Sequence, residues 1–162
     1  VCNRPGAKAI ERAKSFGIPV GIFDHRVFVN REAHEIAILE WLRPLCPHLL
    51  VLAGYMRLFT ARLLSEYRGR VINIHPADTR QHQGADGYAW ARGEGLTKTW
   101  ITVHWVDDGM DTGEVIMQAP VPILAGDTLE DLRARGLAIE HQLYPRALAK
   151  VISQLPQDQR RL

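Results

Sequence analysis

Residues 70–76 read Arg-Val-Ile-Asn-Ile-His-Pro, an apolar run that acquires polar side chains only towards its end. Residues 48–54, His-Leu-Leu-Val-Leu-Ala-Gly, form a second apolar run, which a glycine closes. Continuous runs of this kind, bounded by Gly or Pro, are typical of strands buried on both faces. Between the two runs, Thr60 is a suitable cap for a helix that Gly69 would end. The order strand, helix, strand predicts a mainly parallel sheet that is covered by helices.

Upstream of these runs the alternation of helix and strand continues. Residues 7–16 carry apolar side chains at helical spacing, and residues 18–23 resemble a short strand. Asn30 is a suitable cap for a helix that extends to about Pro44. The amino-terminal third of the chain therefore fits the same α/β pattern.

Downstream, residues 97–106 and 114–123 alternate in polarity and are joined by a tight Gly-rich segment. This pattern predicts two antiparallel strands at one edge of the sheet. Asp127 and Glu130 have the spacing of a capping box for a last, amphipathic helix, which Pro145 would kink. We therefore predict an α/β fold with a mainly parallel sheet, helices on both faces and an antiparallel edge.

The composition limits the classes of function. The chain has 162 residues, of which 46% are hydrophobic and 23% charged, with a formal net charge of +2. This size predicts one domain, and so small a charge argues against nucleic acid or a membrane as the main partner. No apolar run approaches the roughly 20 residues that a membrane span needs. Two cysteines, Cys2 and Cys46, do not make a disulfide framework, which favours the cytoplasm.

Chemistry is expected where strands end, because ligands of open sheets bind beyond the carboxyl ends of the strands. Asn73 and His75 are two residues apart in a predicted strand, so their side chains share one face. An amide donor beside an imidazole suits a carbonyl that becomes an oxyanion. Asp111, in the Gly-rich turn at 107–113, could raise the pKa of such an imidazole. The alternative is structural: both strand residues would bond loop backbone, and the turn would only be a turn.

Other histidines suggest less. His82 lies in a polar loop and His104 in a predicted strand, and together with His75 they raise the question of a metal site. No HxxxH or CxxC spacing supports one, so we predict no metal and assign both to a solvated or a core position.

Three blocks carry a resemblance to a known family. They read Val-Leu-Ala-Gly-Tyr-Met-Arg at 51–57, Ile-Asn-Ile-His-Pro at 72–76 and Val-His-Trp-Val-Asp-Asp-Gly-Met-Asp-Thr-Gly at 103–113. Their order and spacing resemble the folate-dependent formyltransferases, and nearly the whole chain takes part. The blocks are most similar to those of the members that formylate glycinamide ribonucleotide in de novo purine (IMP) biosynthesis. The resemblance implies a Rossmann-like sheet, with 10-formyltetrahydrofolate as the formyl donor.

The resemblance also implies roles for individual residues. Asn73, His75 and Asp111 match the catalytic residues: Asn73 and a protonated His75 would stabilise the oxyanion, and Asp111 would support the charged imidazole. On this hypothesis the formyltransferase activity falls as His75 loses its proton. The residues that match the folate site are Arg31, Met56, Arg57, Leu58, Phe59, Asn73, Asp107 and Asp108. Those that match the ribonucleotide site are Met56, Pro76 and Glu140. The implied partners are these two small molecules, and the implied assembly is a monomer or a homodimer.

The sequence departs from the family in two places. The family opens with a strand and a Gly/Ser/Asn-rich loop that holds the substrate phosphate, and nothing of that kind precedes Val1. We therefore expect a catalytic domain over residues 1–153 that is incomplete at its N-terminus, and a polar tail over 154–162. The stretch 77–84, Ala-Asp-Thr-Arg-Gln-His-Gln-Gly, is polar where the family is more apolar, and only Gly84 fits.

Two alternatives follow from these departures. One is formyl transfer to another acceptor, such as methionyl-tRNA or an amino-sugar nucleotide, or hydrolysis of formyltetrahydrofolate by water. The other is a non-catalytic, folate-binding homologue. The presence of Asn73, His75 and Asp111 together argues against the second.

Overall fold

The computed structural model describes residues 1–156, and these form two compact units. The first unit comprises Val1–His48 and Tyr55–Tyr67. The second comprises Leu49–Gly54 and the chain from Arg68 onward. The predicted boundary at residue 153 stays a prediction, and residues 157–162 of the predicted tail lie outside the described residues.

The first unit is built around helices. Its α-helices are α1 (Lys8–Ser15), α2 (Arg31–Leu42) and α3 (Ala61–Glu66). Asn30 caps α2 as predicted, since its side-chain oxygen accepts a hydrogen bond from the Ala33 amide at 2.8 Å. The strand predicted at 18–23 is reduced to an isolated parallel bridge between Cys2 and Ile22.

The start of α3 differs from the prediction. Thr60 precedes α3, but its side chain makes no capping bond to the helix. Its hydroxyl instead donates a short hydrogen bond to the Glu35 carboxylate, and its amide donates to the same group at 3.0 Å. Glu35 is fully buried in α2, so these two donors satisfy a carboxylate that would otherwise lack partners. The threonine therefore joins α2 to α3 rather than capping a helix.

The second unit contains a four-stranded sheet in the order β1-β2-β3-β4. The strands are β1 (Leu50–Val51), β2 (Val71–His75), β3 (Lys98–Trp105) and β4 (Val115–Pro122). β1 and β2 are parallel, whereas β2–β3 and β3–β4 are antiparallel. The predicted antiparallel edge is present, and it supplies two of the three pairings among the described strands. The short helix α4 (Gly87–Gly93) lies between β2 and β3 in the chain.

One face of the sheet carries the core of the second unit. The helix α5 (Leu129–Gln154) packs against β3 and β4. The buried cluster on this side is formed by Tyr88, Ile101, Val103, Val121, Leu132, Leu143 and Ala147. Pro145 lies inside α5, and the helix continues through it to Gln154. Ile101 and Val103 of β3 thus face α5, whereas Thr102 and His104 alternate with them and face the opposite side.

The N-terminus of α5 is capped one residue later than predicted. Thr128 is the cap, and its side chain and that of Asp131 exchange hydrogen bonds with each other's backbone amides. Asp127 instead accepts hydrogen bonds from Arg135, the shortest at 2.6 Å, and from the Leu124 amide at 2.7 Å. The predicted pair of Asp127 and Glu130 is therefore wrong, because Arg135, about two turns into the helix, engages Asp127.

We expect Thr128→Ala to lower the free energy of unfolding by about 1 kcal/mol, the usual effect of removing a helix cap. The reason is that the Asp131 amide loses its acceptor, which lies 3.1 Å away. Chemical denaturation measures the change. Glu130→Ala, at the exposed neighbouring position, is the control and should alter stability by less than about 0.5 kcal/mol. Equal effects of the two substitutions would contradict the observed cap.

Candidate active site

The polar face of the second unit's sheet is set by strand pairing. Asn73 in β2 lies opposite His104 in β3, and His75 lies opposite Thr102. Directly paired residues of an antiparallel ladder point to the same face. All four side chains therefore project from the side of the sheet opposite to the buried cluster. The strands bring together an amide and two imidazoles by register alone.

A tight connection between β3 and β4 delivers Asp111 to this face. The Asp107 carboxylate accepts hydrogen bonds from the Gly109 amide at 3.0 Å and from the Thr112 hydroxyl at 2.6 Å. Asp111 itself has φ 54°, a left-handed conformation that Asp tolerates better than most residues. A Cβ at Gly113 would lie 1.8 Å from the Trp105 carbonyl oxygen, so only glycine allows this close return of the chain.

Asp111 is the point on which the site converges. Its Oδ1 lies 3.4 Å from Asn73 Nδ2 and 3.4 Å from His104 Nε2. Its Oδ2 lies 3.4 Å from His75 Nδ1 and accepts a hydrogen bond from the Gly84 amide at 3.0 Å. The structure thus brings Asn73, His75 and Asp111 together, and it adds His104 and the backbone of the 77–84 loop. Their catalytic roles stay predictions.

Asp111 is ionised at neutral pH. Burial by itself raises the pKa of this carboxyl, because a dehydrated carboxylate is unfavourable. The contact with His104, the Gly84 amide and the nearby His75 outweigh burial and lower the pKa to about 2. A fixed negative charge therefore lies beside both imidazoles.

Burial and Asp111 shift the pKa of His75 in opposite directions. Burial is the largest influence and lowers the pKa of this imidazole, while Asp111 raises it by a smaller amount. The net pKa of His75 lies below its usual value, so the ring is mainly neutral near pH 7. Asp111 raises the pKa of this imidazole, as the sequence predicts, but burial outweighs that effect, and the predicted role of a protonated His75 stays a prediction. Burial is the larger effect because only 5% of the His75 side chain remains exposed.

Hydrogen bonds to backbone carbonyls fix the protons on both imidazoles. His75 Nε2 lies 3.2 Å from the His82 carbonyl oxygen, and His104 Nδ1 lies 2.8 Å from the Trp105 carbonyl oxygen. A carbonyl only accepts, so each of these nitrogens carries a proton. The other nitrogen of each ring, Nδ1 of His75 and Nε2 of His104, faces Asp111.

Burial and side-chain hydrogen bonds hold the 77–84 loop in place, although its composition is polar. Ala77, Asp78 and Thr79 are buried. The Asp78 carboxylate accepts from the Arg80 guanidinium at 2.9 Å and from the Gln118 amide group at 3.3 Å. The Gln118 bond ties the start of the loop to β4, and the Gly84 amide ties its end to Asp111.

Sequence reasoning assigned His82 and His104 to a solvated or a core position and missed their place at the site. His104 is indeed 1% exposed, but its ring faces Asp111 rather than apolar side chains only. His82 is half-buried, and its ring is nearly parallel to that of His75, with 6.3 Å between centroids. His104 could have been found from its position two residues after Thr102 on the predicted strand, which places both side chains on the polar face. His82 could not be found, because a loop has no such periodicity.

The residues assigned to substrates by resemblance are spread over both units. Arg31, Met56, Arg57, Leu58 and Phe59 belong to the first unit, where Arg31 is exposed and Met56 is 83% exposed. Their assignment to folate stays a prediction.

In the second unit, Asp107 serves the turn, Asp108 is exposed, and Pro76 directly follows β2. Glu140 is half-buried in α5, and the Tyr88 hydroxyl donates to it at 3.4 Å. Burial is the main cause that raises the pKa of Glu140. Its assignment to the ribonucleotide stays a prediction.

Two kinds of feature are absent from residues 1–156. In this range no group of three or more His, Cys, Asp or Glu side chains is arranged to hold a metal ion. None of the helices in the same range is long and apolar enough to cross a membrane.

Comparison with known proteins shows the family of this chain. A family model described as formyl transferase matches residues 1–148. Phosphoribosylglycinamide formyltransferase of Bacillus subtilis (strain 168) is 43% identical over 152 residues, which are 94% of this chain and 78% of the relative. The solved structure of phosphoribosylglycinamide formyltransferase from Bacillus halodurans has a TM-score of 0.90 at 41% identity, covering 94% of this chain and 78% of the other.

A larger protein contains a similar segment. The trifunctional purine biosynthetic protein adenosine-3 of Drosophila pseudoobscura pseudoobscura is 39% identical over 153 residues, which are 94% of this chain and 11% of that protein. An amide and an imidazole beside a carboxylate at the end of a strand are groups that can stabilise an oxyanion formed at a carbonyl carbon. The chain belongs to the formyl transferase family. The predicted family, fold and enzymatic class are confirmed.

Proposed function

We propose that this enzyme transfers the formyl group of 10-formyltetrahydrofolate to the amine of glycinamide ribonucleotide, a step of purine biosynthesis. The observation that carries the proposal is the convergence of Asn73 and His75 on Asp111 at the carboxyl end of β2. Relatives that match 94% of the chain carry the name of this activity. A metal plays no part in the proposed chemistry.

His75 is the proton carrier of the proposed reaction. Its Nε2 proton is committed to the His82 carbonyl, so Nδ1 holds the free lone pair. The folate supplies the formyl group, and the amine forms a bond to its carbon while the bond from that carbon to the folate nitrogen breaks. Nδ1 accepts the proton that the amine loses and returns it to the folate nitrogen, so no proton is gained or lost.

Asn73 and Asp111 act on the charges that appear during transfer. The Asn73 amide group is a fixed N–H donor for the negative charge that develops on the formyl oxygen. Asp111 is already ionised and 3.4 Å from Nδ1, so it stabilises the imidazolium that forms when His75 takes the proton. Asp111 therefore stabilises a positive charge on His75 that is present only during the transfer and not in the resting site.

The assignment of substrates to surrounding residues is carried over from the family resemblance. We propose that Glu140, Met56 and Pro76 contact the ribonucleotide. We propose that Arg31, Arg57, Leu58, Phe59, Asp107 and Asp108 contact the folate. Burial raises the pKa of Glu140, and its carboxylate accepts a hydrogen bond from the Tyr88 hydroxyl.

A product assay tests the proposed function. The protein is incubated with 10-formyltetrahydrofolate and, separately, glycinamide ribonucleotide, an amino-sugar nucleotide, methionyl-tRNA or no acceptor. Formylated glycinamide ribonucleotide is the expected product. Formylation of another acceptor, or formate released without an acceptor, would replace the proposal. Folate binding with no transfer to any amine would favour a binding protein.

The pH dependence of the reaction follows from the pKa of His75. The neutral imidazole is the active form, so kcat/KM should rise with pH through a pKa below the ordinary value of about 6.5 and then level off. Asp111 raises this pKa, so Asp111→Asn should move the rising limb to lower pH and also lower the plateau.

Glu114→Gln is the matched control, since it removes an exposed carboxylate from the same connection between β3 and β4, outside the proposed substrate contacts. It should leave the limb unchanged. A limb that Asp111→Asn does not move would show that Asp111 does not influence His75, and activity that falls with rising pH would show that the charged imidazole is the active form.

A further inference from the structure

His82 contacts the central imidazole of the site in two ways. Its backbone carbonyl accepts the hydrogen bond from His75 Nε2 at 3.2 Å. Its own ring stacks on His75 at 6.3 Å between centroids, with 20° between the planes. The residue lies in the 77–84 stretch, where this sequence departs from the formyltransferase pattern.

The position of His82 is itself held from two sides. Its ring stacks on Trp90 of α4, with 4.8 Å between centroids and 16° between the planes. Its Nε2 donates to the Ala85 carbonyl at 2.8 Å, which closes the turn before α4. The rings of His75, His82 and Trp90 are therefore nearly parallel. Because the His82 ring is held in this stack, its backbone carbonyl is held against His75.

The carbonyl contact decides which nitrogen of His75 is basic. A neutral imidazole has one N–H and one lone pair, and a carbonyl oxygen stabilises only the tautomer that presents N–H to it. The opposite tautomer would place the Nε2 lone pair against the His82 carbonyl oxygen. With the proton on Nε2, the lone pair is on Nδ1, which lies 3.4 Å from Asp111 without forming a hydrogen bond to it, so the carbonyl is the acceptor that selects the tautomer.

We propose that His82 is a positioning residue for formyl transfer: its carbonyl selects the Nε2–H tautomer of His75, and its stacked ring holds the His75 plane so that Nδ1 carries the transferred proton. This inference rests on the proposed function for its catalytic consequence, but the tautomer itself does not depend on it. It assigns a role to a side chain that the family resemblance leaves without one.

The charges around His75 set the sign of a second effect. The ionisable groups that face this ring are Asp111, His104 and His82. Asp111 raises the pKa of His75, whereas His104 and His82 lower it when charged, and burial remains the largest influence. Replacing His82 by an uncharged aromatic residue should therefore raise the pKa of His75 while keeping the ring stack.

The experiment combines nitrogen NMR with kinetics on the full chain. ¹⁵N shifts of the imidazoles report which nitrogen of His75 carries the proton, with His75→Gln used to assign its signals. The variants are His82→Ala, which removes stack and turn bond, and His82→Phe, which keeps an aromatic ring against Trp90. Gln81→Ala, at the exposed neighbouring position, is the matched control.

We expect the unaltered protein to show the Nε2–H tautomer of His75. His82→Ala should give a mixture of tautomers and about a tenfold loss in kcat with little change in KM, since a wrong tautomer removes the base without removing substrate contacts. His82→Phe should keep the tautomer and most of kcat and shift the rising pH limb upward. Gln81→Ala should change none of these.

Two results would overturn the inference: an Nδ1–H tautomer of His75 in the unaltered protein, or an unchanged tautomer together with unchanged kcat in His82→Ala. If His82→Ala does not fold, the inference is still tested by the tautomer of His75 in the unaltered protein and by the position of the rising pH limb in His82→Phe. A protein that shows the Nε2–H tautomer but formylates no acceptor would contradict the proposed function and leave the tautomer assignment standing.

Discussion

Asn73→Ala should lower kcat/KM for formyl transfer about 10²–10³-fold, the usual effect of removing one preorganised donor to an oxyanion. The Asn73 amide group is the uncharged N–H donor on the polar face of β2, and it lies 3.4 Å from Asp111 Oδ1. Because Asp111 is ionised, a second negative charge close by is unfavourable unless donors compensate it. Loss of the donor therefore affects the transition state more than it affects the bound substrates.

The effect on stability should be small. Asn73 is half-buried and makes one long side-chain hydrogen bond, so we expect the free energy of unfolding to change by about 1 kcal/mol or less. Kinetics with saturating substrates and chemical denaturation separate the two effects. Asn73→Asp is the sharper test: it keeps the shape, removes the N–H group and adds a charge beside Asp111. Activity within about threefold of the unaltered protein in either variant would exclude Asn73 as an oxyanion donor.

His75→Ala should lower kcat about 10²–10⁴-fold, the range expected when a general acid–base group is removed. The imidazole faces Asp111, and burial lowers its pKa below the ordinary value, so the neutral ring can accept a proton. KM should change much less, because the proposed role of His75 is proton transfer rather than substrate binding. The rising pH limb should disappear from the residual activity.

His75→Gln is the matched variant. A glutamine amide can still donate to the His82 carbonyl, but it cannot carry the proton, so its kcat should be as low as that of His75→Ala. Partial recovery of the alanine variant by added imidazole would support the proton-transfer role. A glutamine variant with nearly full activity would show that His75 acts only as a hydrogen-bond donor.

Several features of the fold follow from local sequence. The apolar runs around Leu50 and Ile72 give the parallel pair β1 and β2, and the alternation of Thr102 and His104 with Ile101 and Val103 gives a strand with one polar and one apolar face. Asn30 caps α2 because its short side chain reaches the Ala33 amide within one turn. These are interactions between residues close in the chain, which the chemistry of a short segment decides.

Other features depend on residues far apart in the chain. Thr60 bonds Glu35 of α2 instead of capping α3, and Asp127 bonds Arg135, which moves the α5 cap to Thr128. In each case a partner that periodicity does not indicate competes successfully for the side chain. The predicted strand at 18–23 is reduced to a bridge with Cys2, since pairing requires a neighbour and not only apolar residues.

The candidate site shows the same division. The spacing of Asn73 and His75 put both on one strand face, and the three sequence blocks carried the family resemblance, because catalytic chemistry requires those residue types at those places. Folding alone placed His104 opposite Asn73, brought His82 against His75 and buried the imidazole enough to lower its pKa. The sequence determines which side chains are present. Their burial, tautomer and charge state depend on groups that are distant in the chain, and only packing in three dimensions brings those groups together.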